Sequence, residues 1–222
     1  MASTRQSDPD AKIPVRQRGQ QTRARLLAAA QKVFERDGYL DARVADISAA
    51  AHVAHGSFYT YFDSKEDIFR EIVQSVADEV YAALDTFEGG TAAERISAVN
   101  QRQIELYEQH ATVLGLIEQV GNLAQFSQLR RDIRQRLVDR VERLIKRLRA
   151  EGELSLEPLD PHMTATALVG MTDSFAYTWF VVGEPFNRTK ALATLDAIWM
   201  RALGIEKKPR RRTRSRAKSS SG

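Results

Sequence analysis

Two histidines three residues apart, His52 and His55, stand in the stretch H-V-A-H-G-S-F-Y-T-Y-F at 52–62. Imidazoles at that spacing suit metal ligation, proton transfer or contact with a nucleic acid. A metal needs three or four ligands. The chain has no cysteine, its other histidines are His110 and His162, and Asp63 is the acid nearest His55. No metal site and no cofactor are therefore expected. The residues after His55 point elsewhere. Gly56 has no side chain, so its helix can come close to a groove wall. Ser57, Tyr59, Thr60 and Tyr61 put hydroxyls on one short segment, and hydroxyls suit phosphate oxygens and base edges. Phe58 and Phe62, four apart, are expected to face inward. Lys65 opens the next helix, where an ammonium and free backbone N–H groups together favour phosphate. His52 reads as a turn residue at positive φ.

Catalytic patterns are missing. There is no cysteine nucleophile, no G-x-S-x-G, no P-loop and no Glu-x-x-His; Glu108-Gln109-His110 has the wrong spacing for the last. An enzyme is not expected. Charge is unevenly spread. Residues 207–222 carry eight basic side chains and no acid, and residues 1–25 carry six basic and two acidic ones. With a net charge of +4 overall, the segment between is acidic. Basic ends suit a polyanion, although solvated tails with no partner explain them equally well. No apolar run approaches the roughly 20 residues that span a bilayer, and no apolar signal-peptide core opens the chain. A cytoplasmic protein without membrane contact is expected.

The elements that position these residues are all helical. Thr22 reads as an N-cap, and Leu26, Leu27, Ala30, Val33 and Phe34 form one helix face up to Gly38. A short helix at about 43–51, a turn at His52-Val53 and a second short helix at about 54–61 follow. Ser64 caps a longer helix with Glu66 and Asp67 in its first turn, ending at Gly89-Gly90. Thr91 caps a helix to about 109. Further helices are expected at about 111–123, 127–150, 161–182 and 187–204. The fold class is all-α with nine helices. Two short helices joined by a tight turn on an amphipathic first helix make a helix-turn-helix.

From Thr22 to about Val73 the chain is similar to the DNA-binding domain of the tetracycline-repressor (TetR) family. The residues carrying the similarity are Ala30-x-x-x-Phe34, Gly38-Tyr39, Val44, Asp46-Ile47, Val53, Gly56, Phe58-Tyr59, Tyr61-Phe62 and Ser64-Lys65-Glu66. Four positions depart from the family's usual residues. Arg43 stands where Thr is common and offers a phosphate contact. His52 replaces a turn Gly, and His55 a frequent Lys. Ala54 replaces the Ser or Thr that caps the recognition helix, at a cost of about 1 kcal/mol. The DNA-contacting set implied is Arg43, Ala54, His55, Gly56, Ser57, Tyr59, Thr60, Tyr61 and Lys65.

The resemblance implies residues 1–19 as a basic arm and 20–66 as a DNA-binding head. It implies 67–206 as a ligand-binding and dimerisation domain, with 207–222 as a basic tail. Arg16, Arg18, Arg23 and Arg25, which precede or open the first helix, suit a minor groove. The last two helices, with stripes through Ala191, Leu192, Leu195, Ile198, Trp199, Ala202 and Leu203 and through Phe175, Tyr177, Trp179 and Phe180, are expected to pair with their copies. Such a homodimer would read a palindromic double-stranded DNA operator, with heads roughly 34–36 Å apart. The middle helices are expected to enclose a lipophilic effector. Its apolar lining is Leu84, Ile104, Tyr107, Leu114, Ile117, Phe126, Leu144, Met171, Phe175 and Trp179, with Asn100, Gln103, Glu118, Thr172 and Asp173 as sparse polar anchors. A ligand-released repressor follows; activation, an α-helical enzyme and a DNA-coating protein are the competing readings.

Overall fold

A computed structural model describes residues 15–84, 90–154 and 159–205. Nine helices are present among them, with no strand. They are α1 (Val15–Asp41), α2 (Val44–Ala50), α3 (His55–Phe58), α4 (Lys65–Leu84), α5 (Ala92–Gln109), α6 (Ala111–Val120), α7 (Ala124–Ala150), α8 (Pro161–Phe180) and α9 (Arg188–Ala202). The side chain of Leu84, Gly89, the first fourteen residues and the tail 207–222 lie outside the described residues.

Local chemistry explains most of the boundaries. Thr91 and Glu94 form a reciprocal capping box at the start of α5. Asp160 caps α8, which has a proline in its first turn, and Asn187 caps α9. The Ser64 hydroxyl accepts the Asp67 N–H at 3.1 Å. Each bond satisfies an N–H that the helix itself leaves open. Gly38 breaks the helical path of α1 at φ 73°, ψ 171°, a conformation that a Cβ makes costly.

Three boundaries differ from expectation. The first helix starts at Val15, and Thr22 lies inside it, where its hydroxyl accepts a bond from Arg25 at 3.3 Å. Arginine and glutamine at 16–21 are good helix formers, so the helix runs upstream without an apolar stripe. Arg16 and Arg18, expected on the arm before the helix, are thus helical. Arg23 pairs with Glu71 of α4 and lies 5.0 Å over the Phe62 ring. The helix containing His55 is only one turn long, and 59–61 continue as turn. α7 starts three residues earlier than expected, at Ala124.

Two cores organise the packing. The head's core unites Leu26, Val33, Phe34, Tyr39, Ile47, Phe58, Phe62 and Phe69 with Val113, Leu116, Ile117 and Val120 of α6 and Phe126 of α7. The second joins α4, α5, α7, α8 and α9 through Tyr81, Ile96, Leu137, Val141, Leu168 and Trp199. The head is therefore built on α4 and α6, not merely linked to them.

Candidate nucleic-acid interface and effector cavity

The short segment 52–62 takes its shape from two buried phenylalanines and one strained turn. Phe58 and Phe62 are fully buried, with ring centroids 5.7 Å apart, as their spacing implied. His52 adopts φ 55°, so the turn reading of this residue holds. Ala54 caps α3 in extended geometry with no side-chain bond, and Arg43 does the same for α2. Arg43, Ala54, His55, Gly56, Tyr59 and Thr60 are all exposed. The His55 and Tyr59 rings meet edge to face at 5.6 Å, which fixes one against the other. A Cβ on Gly56 would meet nothing within 4 Å, so the space over the backbone is open. Ser57 and Tyr61 are half-buried. Tyr61 packs against the head's core, and its hydroxyl approaches Gly19 of α1.

Lys65 corrects an expectation. Its Nζ donates to the carbonyls of Tyr39 at 2.8 Å, Leu40 at 3.1 Å and Ala42 at 2.9 Å, and lies 4.6 Å over the Tyr39 ring. An ammonium has three donors, and all three are used within the chain. Lys65 closes the C-terminal end of α1, a site where positive charge is favoured. It is not placed as a phosphate contact. Glu66 completes the brace by accepting the Tyr39 hydroxyl at 2.9 Å. Burial, and then this carboxylate, hold the Tyr39 phenol above its ordinary pKa.

Among the described residues no three His, Asp or Glu side chains gather as a metal site would require. None of the helices is long and apolar enough to cross a membrane, again among the described residues.

Behind the head lies a cavity of about 470 Å³. Five helices wall it, each offering one face at helical spacing: Val73, Ala77, Val80 and Tyr81 of α4; Gln103 and Tyr107 of α5; Leu114, Ile117 and Glu118 of α6; Arg130, Ile133, Arg134 and Leu137 of α7; Gly170, Asp173, Ser174 and Tyr177 of α8. Gln103, Tyr107, Leu114, Ile117, Glu118 and Asp173 were expected there. Of the others expected, those with described side chains were not brought to it. Asn100 donates to Asp196 of α9 at 3.0 Å. Thr172 accepts the Trp199 indole N–H at 3.0 Å. Ile104 packs with Ala176 and Leu195. Phe126 sits in the head's core, 5.0 Å from Tyr39 and 5.1 Å from Phe69. Leu144 and Met171 pack against the second core. Phe175 and Trp179 stack with Phe186 and Phe180 in an aromatic cluster that backs onto the cavity residue Tyr107. These residues are apolar or small enough to fill core, and core is where packing density took them.

The cavity is also more polar than expected. Arg130 chelates Glu118, with its closer contact at 2.5 Å. Gln103 donates to Asp173 at 3.2 Å. Burial pushes the Asp173 carboxyl up to about 7, with Glu118 adding to the shift and Arg134 and Arg130 opposing it. The signal for the missed arginines was available. Positions 130, 133, 134 and 137 share a helix face that mixes apolar and basic side chains, where an ordinary core face would be apolar throughout.

Comparison with known proteins agrees with both halves. Residues 26–72 match the family model described as bacterial regulatory proteins, tetR family. Residues 89–185 match the tetracyclin repressor-like C-terminal domain. A helix-turn-helix transcriptional regulator of Bacillus subtilis is 29% identical over 174 residues, 76% of this chain and 86% of that protein. The fatty acid metabolism regulator protein of Bacillus subtilis is 22% identical, over 73% of this chain and 85% of its own. A TetR-family regulator from Syntrophomonas wolfei has the same fold, with TM-score 0.72 at 20% identity over 86% of this chain and 99% of that one. These are regulators, not enzymes. With a helix-turn-helix head on a helical body, and a family match to each, the chain belongs to the tetracycline-repressor family of transcriptional regulators.

Proposed function

We propose that the protein is a repressor that binds a palindromic operator as a homodimer and is released by a small molecule with a sizeable apolar part. The observation that carries this is shared structure. Val73 and Ile117 belong to the head's core and to the cavity wall at once. A ligand that prefers one setting of α4 and α6 therefore prefers one setting of the head. Differential binding of that kind shifts the population of DNA-competent protein. The apolar walls of α4 and α7 suit a lipophilic portion, and the relative named for fatty acid metabolism supports an effector of that character. Division into a head at 20–66 and an effector and dimer domain at 67–206 describes the roles, although α4 and α6 serve both.

DNA contact is assigned to Arg43, Ala54, His55, Gly56, Tyr59 and Thr60, with Ser57 and Tyr61 contributing from the edge. The test is footprinting of the full-length protein on its own promoter. Protection of one short palindrome is expected, and diffuse coverage would favour a DNA-coating protein instead. In the same assay His55→Ala should weaken operator binding by roughly tenfold, the scale of one lost base contact. Chelators should leave binding unchanged; loss of binding on chelation would refute the assignment.

A further inference from the structure

Within the cavity two arginines meet two carboxylates, but only one pair is in bonded contact. Arg130 and Glu118 neutralise each other through their two-bond contact. Asp173 takes a bond from Gln103. Arg134 lines the cavity and acts on the Asp173 carboxyl through its charge, with no hydrogen bond or close ion pair among the described residues. Its guanidinium is nonetheless seated. A Cβ on Gly170 would lie 2.8 Å from its Nη2, so the missing side chain at 170 is what admits the group. Arg134 and Ser174 both remain exposed and both line the cavity, which places its mouth between α7 and α8. Apolar walls from Val73, Ala77 and Leu137 lie on the same cavity.

We infer that the cavity selects an amphiphile with a single carboxylate head, held by Arg134 at the mouth with Gln103 and Asp173 beside it, and an aliphatic tail against α4 and α7. This rests on the reading of the cavity as an effector site and names the effector's charge. Guanidinium and carboxylate match as a planar two-bond pair. A cationic head would face the Arg134 guanidinium, and a neutral head would offer it no two-bond partner, since Asp173 acts on it without a bond. Asp173 opposes the anion only when ionised, and its carboxyl titrates at about 7. The groups facing it are Arg130 and Arg134 of α7, Glu118 of α6, Gln103 and Tyr107 of α5 and Tyr177 of α8. Binding of the anion therefore favours protonated Asp173, and affinity should rise as pH falls through neutrality.

Calorimetry on the full-length protein tests this with decanoate, decanol and decyltrimethylammonium. Decanoate should bind at least about tenfold more tightly than the other two, the scale of one charge-assisted contact. Octanoate should be weaker by about fourfold per methylene removed. Arg134→Met should erase the preference for decanoate and leave decanol unaffected, with Arg134→Lys intermediate. Gly170→Ala, which displaces the guanidinium without changing charge, should also weaken decanoate. Decanoate should bind more tightly at about pH 6 than at about pH 8 by severalfold, up to the tenfold per unit of one coupled proton; decanol should not change. Tighter binding of the cation, a preference that survives Arg134→Met, or no binding of any probe overturns the inference. Operator release is scored separately. Decanoate that binds without releasing DNA would refute the effector reading while the anion site stands. Release by decanol or the cation alone would do the reverse.

Discussion

At the scale of residues, side chains that look alike in sequence take opposite tasks. His55 is exposed beside Tyr59, while Lys65, ten positions on, is turned inward to three carbonyls. Lys65→Met should lower stability by about 1–3 kcal/mol, the cost of leaving carbonyls unpaired at a helix end. Urea unfolding measures this, and the salt dependence of DNA binding should keep its slope, because no phosphate contact is lost. Asp173 offers a pH test. Its folded pKa of about 7 lies above the ordinary carboxyl value, so ionisation disfavours the fold. Stability from this group is lost as pH rises from about 4 to about 7. Asp173→Asn should therefore raise the thermal midpoint more at about pH 8 than at about pH 5. An equal gain at both would mean that the carboxyl is not titrating there.

At the scale of elements, α6 and the turn after it connect head and cavity. Leu116 and Val120 face the head's core, and Leu114 and Glu118 face the cavity. The turn is tight at Gly121. A Cβ there would lie 2.5 Å from the Ile117 carbonyl and 2.3 Å from Arg130 Cδ. Gly121→Ala should cost about 1–3 kcal/mol by overpacking and dislodge Arg130 from Glu118, which denaturation and effector titration would detect together. Beyond the turn, Arg70 of α4 donates to the Gln125 carbonyl at 2.8 Å and covers the Phe126 ring. The start of α7 is thereby tied to the head. That contact explains why Phe126, apolar and near the middle of the chain, serves the head and not the ligand.

At the scale of the molecule, the dimer reading changes its residues. The α9 stripe Ala191, Leu195, Trp199 and Leu203 is buried within one chain, with Trp199 fully enclosed. Asp196 is likewise bonded to Asn100 and Ser97 of α5. Among the residues that α9 leaves exposed is Ile198, at 40% exposure, with Thr194 and Arg201 one turn to either side, while α8 leaves Met163 at 73%. An exposed large apolar residue on the last helix suits pairing with its copy, and a pair of these surfaces would form the contact expected of the last two helices. Ile198→Glu should shift the protein toward monomer in sedimentation and lower operator affinity without changing its helix content. A variant that stays dimeric would move the interface elsewhere.

The sequence by itself determined the helices and the identity of the head. Apolar spacing, Thr91 with Glu94, Asp160 before Pro161 and the ordered motif from Ala30 to Glu66 are local signals, and local chemistry decides them. It also determined that Phe58 and Phe62 face inward and that His52 forms the turn. Tertiary structure alone decided which apolar face meets core, cavity or solvent. Period 3.6 places Phe126, Ile104 and Leu114 on faces but does not say what those faces meet. Nor could spacing distinguish a lysine pointing at phosphate from one closing a neighbouring helix, because Lys65 reaches carbonyls 23 to 26 residues away. The charged lining of the cavity has the same origin: Arg134 acquires its role from Gly170 on another helix, through a distance that no stretch of either helix encodes.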